Sequence, residues 1–146
     1  MNQRINVRPR ILIIEDNPER IEKFQSWLQH TRFLPMVANS GGQAVGMFRH
    51  GTEGVPGICL DPDLNSYPRT ESDNWVSGSD VVQQILIKVP KYVPVLVHSM
   101  NTTYAPRIVK KLNSAGFSVT RIRMVILDEA RFMTWLSNVE DNLDDQ

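Results

Sequence analysis

The sequence predicts a single doubly wound α/β domain, a five-stranded parallel sheet in the order 2-1-3-4-5 with helices on both faces. Short, continuously apolar runs alternate with longer stretches of helical periodicity along the whole chain. Two of those runs, Ile11-Leu12-Ile13-Ile14 and Gly57-Ile58-Cys59-Leu60, end abruptly in carboxylates, at Glu15-Asp16 and at Asp61-Pro62-Asp63. A parallel strand covered on both faces is apolar throughout, and open α/β sheets bind ligands outside the carboxyl ends of their strands. A length of 146 residues suits one domain spanning 1–146.

Residues 1–9 read as a basic leader, followed by the first strand at Ile11 to Ile14. Asn17-Pro18 is a helix start, an Asn cap followed by Pro at the first helical position. Ile21, Phe24, Trp27 and Leu28 then recur at helical spacing, which places the first helix over 18–30. Phe33 to Ala38 is the second strand, and Pro35 argues for an edge position because proline cannot donate to a central ladder. Ser40 caps a helix striped by Ala44, Val45, Met47 and Phe48 and ending at Gly51; Gly41, Gly42 and Gly46 weaken it. After the third strand, residues 65–78 form a loop longer than compact domains usually carry, a length often tied to function or disorder. Ser79-Asp80 caps a helix with Val81, Val82, Ile85, Leu86 and Val89 on its apolar side, stopped by Pro90. Tyr92 to Val97 is the fourth strand and runs into His98-Ser99-Met100-Asn101. Ala105-Pro106 opens a short helix that Gly116 ends; Phe117 to Val125 is the fifth strand. Leu127 to Leu143 is the last helix, and residues 144–146 are an acidic tail.

Sixteen basic and sixteen acidic residues cancel, so bulk charge gives no footprint for a nucleic-acid duplex. The lone Cys59 lies inside a buried strand and reads as a small core residue. No apolar run approaches a membrane span, and charged residues stand where a signal peptide needs an apolar segment; a cytoplasmic location is expected. In the 2-1-3-4-5 order the first and third strands are neighbours at the switch point. Glu15, Asp16, Asp61 and Asp63 therefore meet in one crevice, where a hard divalent cation, Mg²⁺ or Mn²⁺, would relieve their repulsion and orient phosphate oxygens.

The chain resembles receiver domains of two-component response regulators over nearly its whole length, a flavodoxin-like, CheY-like fold. The resemblance is carried by Ile13-Ile14-Glu15-Asp16, by Leu60-Asp61-Pro62-Asp63, and by Pro94-Val95-Leu96-Val97-His98-Ser99. It implies that Asp61 accepts a phosphoryl group, that Glu15 and Asp16 hold Mg²⁺, and that Ser99 bonds a phosphoryl oxygen. It also implies a histidine kinase or another signalling protein as partner. At the end of the fifth strand Arg123-Met124 stands where the family has Lys-Pro, and a planar guanidinium is not equivalent to an ammonium at a phosphate site. A narrower resemblance is to an atypical receiver group associated with cyclic-phosphate processing, through Leu60-Asp61-Pro62-Asp63-Leu64, Gly78-Ser79-Asp80 and His98-Ser99-Met100-Asn101. Pro62 replaces a histidine of that pattern.

Several residues carry two readings. His98 is a general acid for phosphodiester cleavage, or, by strict strand alternation, a core histidine under a helix. Ser99 and Asn101 bind phosphate or close a capping turn; Asp80 contributes to the site or only favours a helix dipole. Tyr67 and Trp75 stack on a base or pin the long loop. Three functions follow: a stand-alone receiver-like module accepting phosphate on Asp61; a metal-dependent phosphoesterase acting on a cyclic phosphate or nucleotide; and a pseudo-receiver that binds partners without chemistry.

Overall fold

In a computed structural model, which describes residues 8–64, 78–99 and 104–145, strand and helix alternate throughout. The elements are β1 (Arg10–Ile14), α1 (Pro18–Leu28), β2 (Leu34–Ala38), α2 (Gly41–His50), β3 (Gly57–Leu60), α3 (Gly78–Lys88), β4 (Val95–Ser99), α4 (Tyr104–Ser114), β5 (Val119–Arg123) and α5 (Glu129–Asp144). The strands form one five-stranded sheet in the order β2-β1-β3-β4-β5, parallel at every pairing. The flavodoxin-like receiver fold expected from the sequence is therefore the fold observed. Pro35 sits on the edge strand β2, opposite Ile11.

Burial follows from this order. β3 and β4 are buried along their whole length and β1 along all but its first residue, whereas β2 and β5 are partly exposed. Successive strand residues point to opposite faces. Leu12, Ile14, Ile58, Leu60, Val95 and Val97 pack with Phe48, Val82, Ile85 and Leu112 of the helices on one face. Ile11, Ile13, Cys59 and Leu96 pack with Phe24 and Leu28 of α1 and Phe132, Trp135 and Val139 of α5 on the other. Phe24, Phe48 and Phe132 are at most 1% exposed, and burial at that level contributes about 1.5–3 kcal/mol each. Cys59 is a free thiol in the second cluster, a core residue as its strand position implied.

Several boundaries differ from the sequence reading, each for a local reason. β4 starts at Val95 and continues through Ser99, because Val93 closes a turn onto Pro90 and Pro94 offers the ladder only its carbonyl. β5 stops at Arg123, where Ile126 and Leu127 bond back to the Arg123 carbonyl. Asp128, whose side chain accepts from the Arg131 amide at 2.9 Å, caps α5. α3 begins at Gly78, so Ser79 and Asp80 lie inside its first turn. A Cβ on Gly78 would overlap the Pro62 carbonyl oxygen, so only glycine lets α3 start this close to the end of β3. Residues 65–77, with Tyr67 and Trp75, and residues 100–103, with Asn101, lie outside the described residues. Among the described residues no helix is long and apolar enough to cross a membrane.

Candidate functional site

The carboxyl ends of β1 and β3 stand side by side: the Glu15 amide bonds the Ala38 carbonyl at 3.0 Å, and the Asp61 amide bonds the Ile14 carbonyl at 2.9 Å. Each acid thus begins where the ladder ends and is fixed by it. Glu15, Asp16 and Asp61 are at most 2% exposed, and one carboxylate oxygen from each lies within 4.8 Å of the others. The structure brings together these three of the four acids expected to converge. Asp63 is exposed and outside the trio; its backbone amide donates to Asp61 Oδ1 at 2.9 Å.

The remaining oxygens are unequally engaged. Glu15 Oε2 accepts from the amides of Asp16 at 2.9 Å and Asn17 at 3.1 Å, a local turn that the longer glutamate side chain can reach. Glu15 Oε1 and Asp61 Oδ2 are buried and accept from no donor outside the pair, while the two side chains are close enough to share a proton. Burial first, and the Glu15 charge second, push the Asp61 carboxyl up to about 9. Burial likewise raises Glu15. Without a cation the pair would keep a proton near neutrality, and a cation would displace it. Buried carboxylate oxygens with unsatisfied lone pairs, all hard donors, fit a divalent ion of the Mg²⁺ or Mn²⁺ type.

A cation from α1 stands over the same two oxygens. Asn17 caps the helix, its Oδ1 accepting from the amides of Glu19 at 3.0 Å and Arg20 at 3.2 Å. Helical side chains tilt toward the N-terminus, so Arg20 leans back over the strand ends. Its Nη1 lies 3.7 Å from Glu15 Oε1 and 3.7 Å from Asp61 Oδ2. Sequence reasoning singled out the cap but passed over Arg20. The available signal was a cation in the first turn of a helix that starts directly after an acidic pair.

His98 obeys strand alternation: it shares the face of Leu96, is fully buried, and packs against the Phe24 ring with centroids 4.7 Å apart. Its Nδ1 is 3.5 Å from Glu15 Oε1. Burial, with a smaller contribution from Arg20, lowers its pKa to about 3, so the ring is neutral. Neither ring nitrogen has a hydrogen bond. Ser99 is buried at the end of β4, in register with Arg123 of β5. Arg123 is exposed and lines a surface groove of about 340 Å³ with Arg121, Ile122, Ile126 and Arg131. The cation that reaches Glu15 and Asp61 is Arg20, from α1. Asp80 is exposed in the first turn of α3.

Comparison with known proteins agrees with the fold. No protein-family model matches the chain, and no curated protein matches it. Solved receiver domains do. A CheY-like response regulator receiver domain protein from Methanospirillum hungatei JF-1 is similar with a TM-score of 0.71 and 10% identity, over 96% of this chain and 100% of that one. The signal receiver domain of an HD domain-containing protein from Pseudomonas fluorescens Pf-5 gives a TM-score of 0.71 and 13% identity, over 96% and 100%. The N-terminal domain of a response regulator/sensory box/GGDEF 3-domain protein from Carboxydothermus hydrogenoformans gives 0.65 and 20%, over 93% and 98%.

Proposed function

We propose that this chain is a receiver-like signalling module that holds a divalent cation through Glu15, Asp16 and Asp61 and accepts a phosphoryl group on Asp61. The observation that carries this reading is the position of Asp61, at the end of a central strand and within one ion's reach of two further buried acids. The two Asp61 oxygens have different surroundings: Oδ1 accepts from the Asp63 amide and Oδ2 faces Arg20, so the acceptor carboxyl is held in one orientation for attack on a phosphoryl donor. The buried hydroxyl of Ser99 is the candidate donor for a phosphoryl oxygen, and Arg123, in register with it on β5, is a candidate for a further contact. Mg²⁺ or Mn²⁺, when bound, neutralises the acids and orients phosphate oxygens. The donor would come from a histidine kinase or another signalling protein.

The location of His98 favours this reading over phosphoesterase chemistry. A proton donor must reach the leaving oxygen, whereas His98 packs under α1 against Phe24 and is neutral. The test is beryllofluoride with Mg²⁺ on the native protein, read by tryptophan fluorescence; Trp27 packs edge-on to Phe24 at 5.4 Å, beside the site. The native protein responds and Asp61→Asn does not. An equal response from Asp61→Asn would remove Asp61 as the acceptor, and turnover of a cyclic nucleotide that depends on His98 would replace this reading with the esterase.

A further inference from the structure

The crevice already contains a positive charge. We propose that Arg20 is a built-in competitor for the divalent cation: its guanidinium occupies the metal-free acid pair and must swing out before Glu15, Asp16 and Asp61 can hold an ion. The inference rests on the metal-binding reading and adds to it a device that sets affinity.

Three observations carry it. Arg20 Nη1 is equidistant, at 3.7 Å, from Glu15 Oε1 and Asp61 Oδ2, the same two buried oxygens that no donor outside the acid pair satisfies. Charge-assisted hydrogen bonds run at about 2.7–2.9 Å, so Arg20 faces these oxygens across a gap without hydrogen-bonding them. The contact is attractive but loose. The Arg20 side chain is 26% exposed, against 0% for Glu15 and 2% for Asp61, so it has a route to solvent that the acids lack. Finally, the α1 cap fixes only the backbone of Arg20, through the Asn17 side chain, and leaves the long stem to rotate.

Arg20 and a divalent cation would draw on the same two side chains, Glu15 and Asp61, and the two positive groups would repel each other there. Arg20 therefore lowers metal affinity while stabilising the metal-free acids.

The test compares Mn²⁺ binding to the full chain by calorimetry at fixed pH and salt. Arg20→Gln keeps the stem and removes the charge. It should bind Mn²⁺ about tenfold more tightly than native, equal to about 1.4 kcal/mol, and Arg20→Lys should remain within a few-fold of native. Metal-free Arg20→Gln should also melt below native, with the gap narrowing in saturating Mn²⁺. Should Arg20→Gln not fold without metal, refolding on addition of Mn²⁺ to a thermal stability matching native would support the proposal, and failure to refold would overturn it. Equal or weaker binding by folded Arg20→Gln overturns the proposal alone. Absence of Mn²⁺ binding to both native protein and Arg20→Gln overturns it together with the metal centre.

Discussion

On the β1–β3 side of the crevice Glu15, Asp16 and Asp61 are buried; Glu15 and Asp61 are fixed by ladder hydrogen bonds and faced by Arg20. On the β4–β5 side Ser99 is buried, but Arg123 is exposed and aligned with other surface arginines. The difference follows from sheet order. β1 and β3 are central, so their ends emerge between covered faces; β5 is an edge, and a long cation at its end reaches water. The metal-free acids are therefore balanced from α1.

Removing the wall behind the β1–β3 side should have the largest effect. Phe24 is fully buried against His98, Trp27 and Phe132, so Phe24→Ala should lower unfolding free energy by about 3–5 kcal/mol. Urea denaturation measures it, and a loss below about 1 kcal/mol would show that this side is not held by packing.

The next effect is electrostatic. Asp61 ionises near 9 when folded and near 4 when unfolded, so the folded, metal-free chain keeps a proton that the unfolded chain releases. That contribution to stability is complete below about pH 4 and is lost as pH rises toward about 9. Denaturation in chelator across this range should show the decline. Asp61→Asn should remove it and exceed native stability at neutral pH by at least about 1.4 kcal/mol, the equivalent of one pKa unit. A flat native profile would contradict the strained acid pair.

Smaller effects separate the two sides. His98→Leu replaces a neutral ring without hydrogen bonds by an apolar side chain. It should change stability by less than about 1.5 kcal/mol, as a near-volume-conserving swap does, and leave Mn²⁺ affinity within about threefold, or about 0.7 kcal/mol. A collapse of metal binding would make His98 an essential support for Glu15. Arg123→Gln, on the exposed side, should shift Mn²⁺ affinity least of all. A shift as large as that of Arg20→Gln would place the competing charge on β5.

Much of this was legible in the sequence. Ile11 to Ile14 and Gly57 to Leu60 announced central strands because strands covered on both faces need apolar residues at every position. The acids that follow them, together with the predicted order, placed Glu15, Asp16 and Asp61 in one crevice. Alternation gave the buried reading of His98 without deciding it, since a strand end can twist either way. Asp63 follows the strand order less closely: its amide turns back to Asp61 Oδ1 and its side chain is exposed, outside the trio. Arg20 was legible only in part: a cation in the first turn after the acidic pair marked it, but its meeting with Asp61 depends on how far α1 leans over β3.

The central claim is that Glu15, Asp16 and Asp61 form one divalent-cation centre. Titrating Mn²⁺ into native protein and Asp61→Asn, with free Mn²⁺ followed by electron paramagnetic resonance, tests it most directly. The account predicts saturable uptake at one site by native protein and affinity reduced at least about tenfold in Asp61→Asn, the equivalent of about 1.4 kcal/mol. Equal uptake by the two proteins would contradict it.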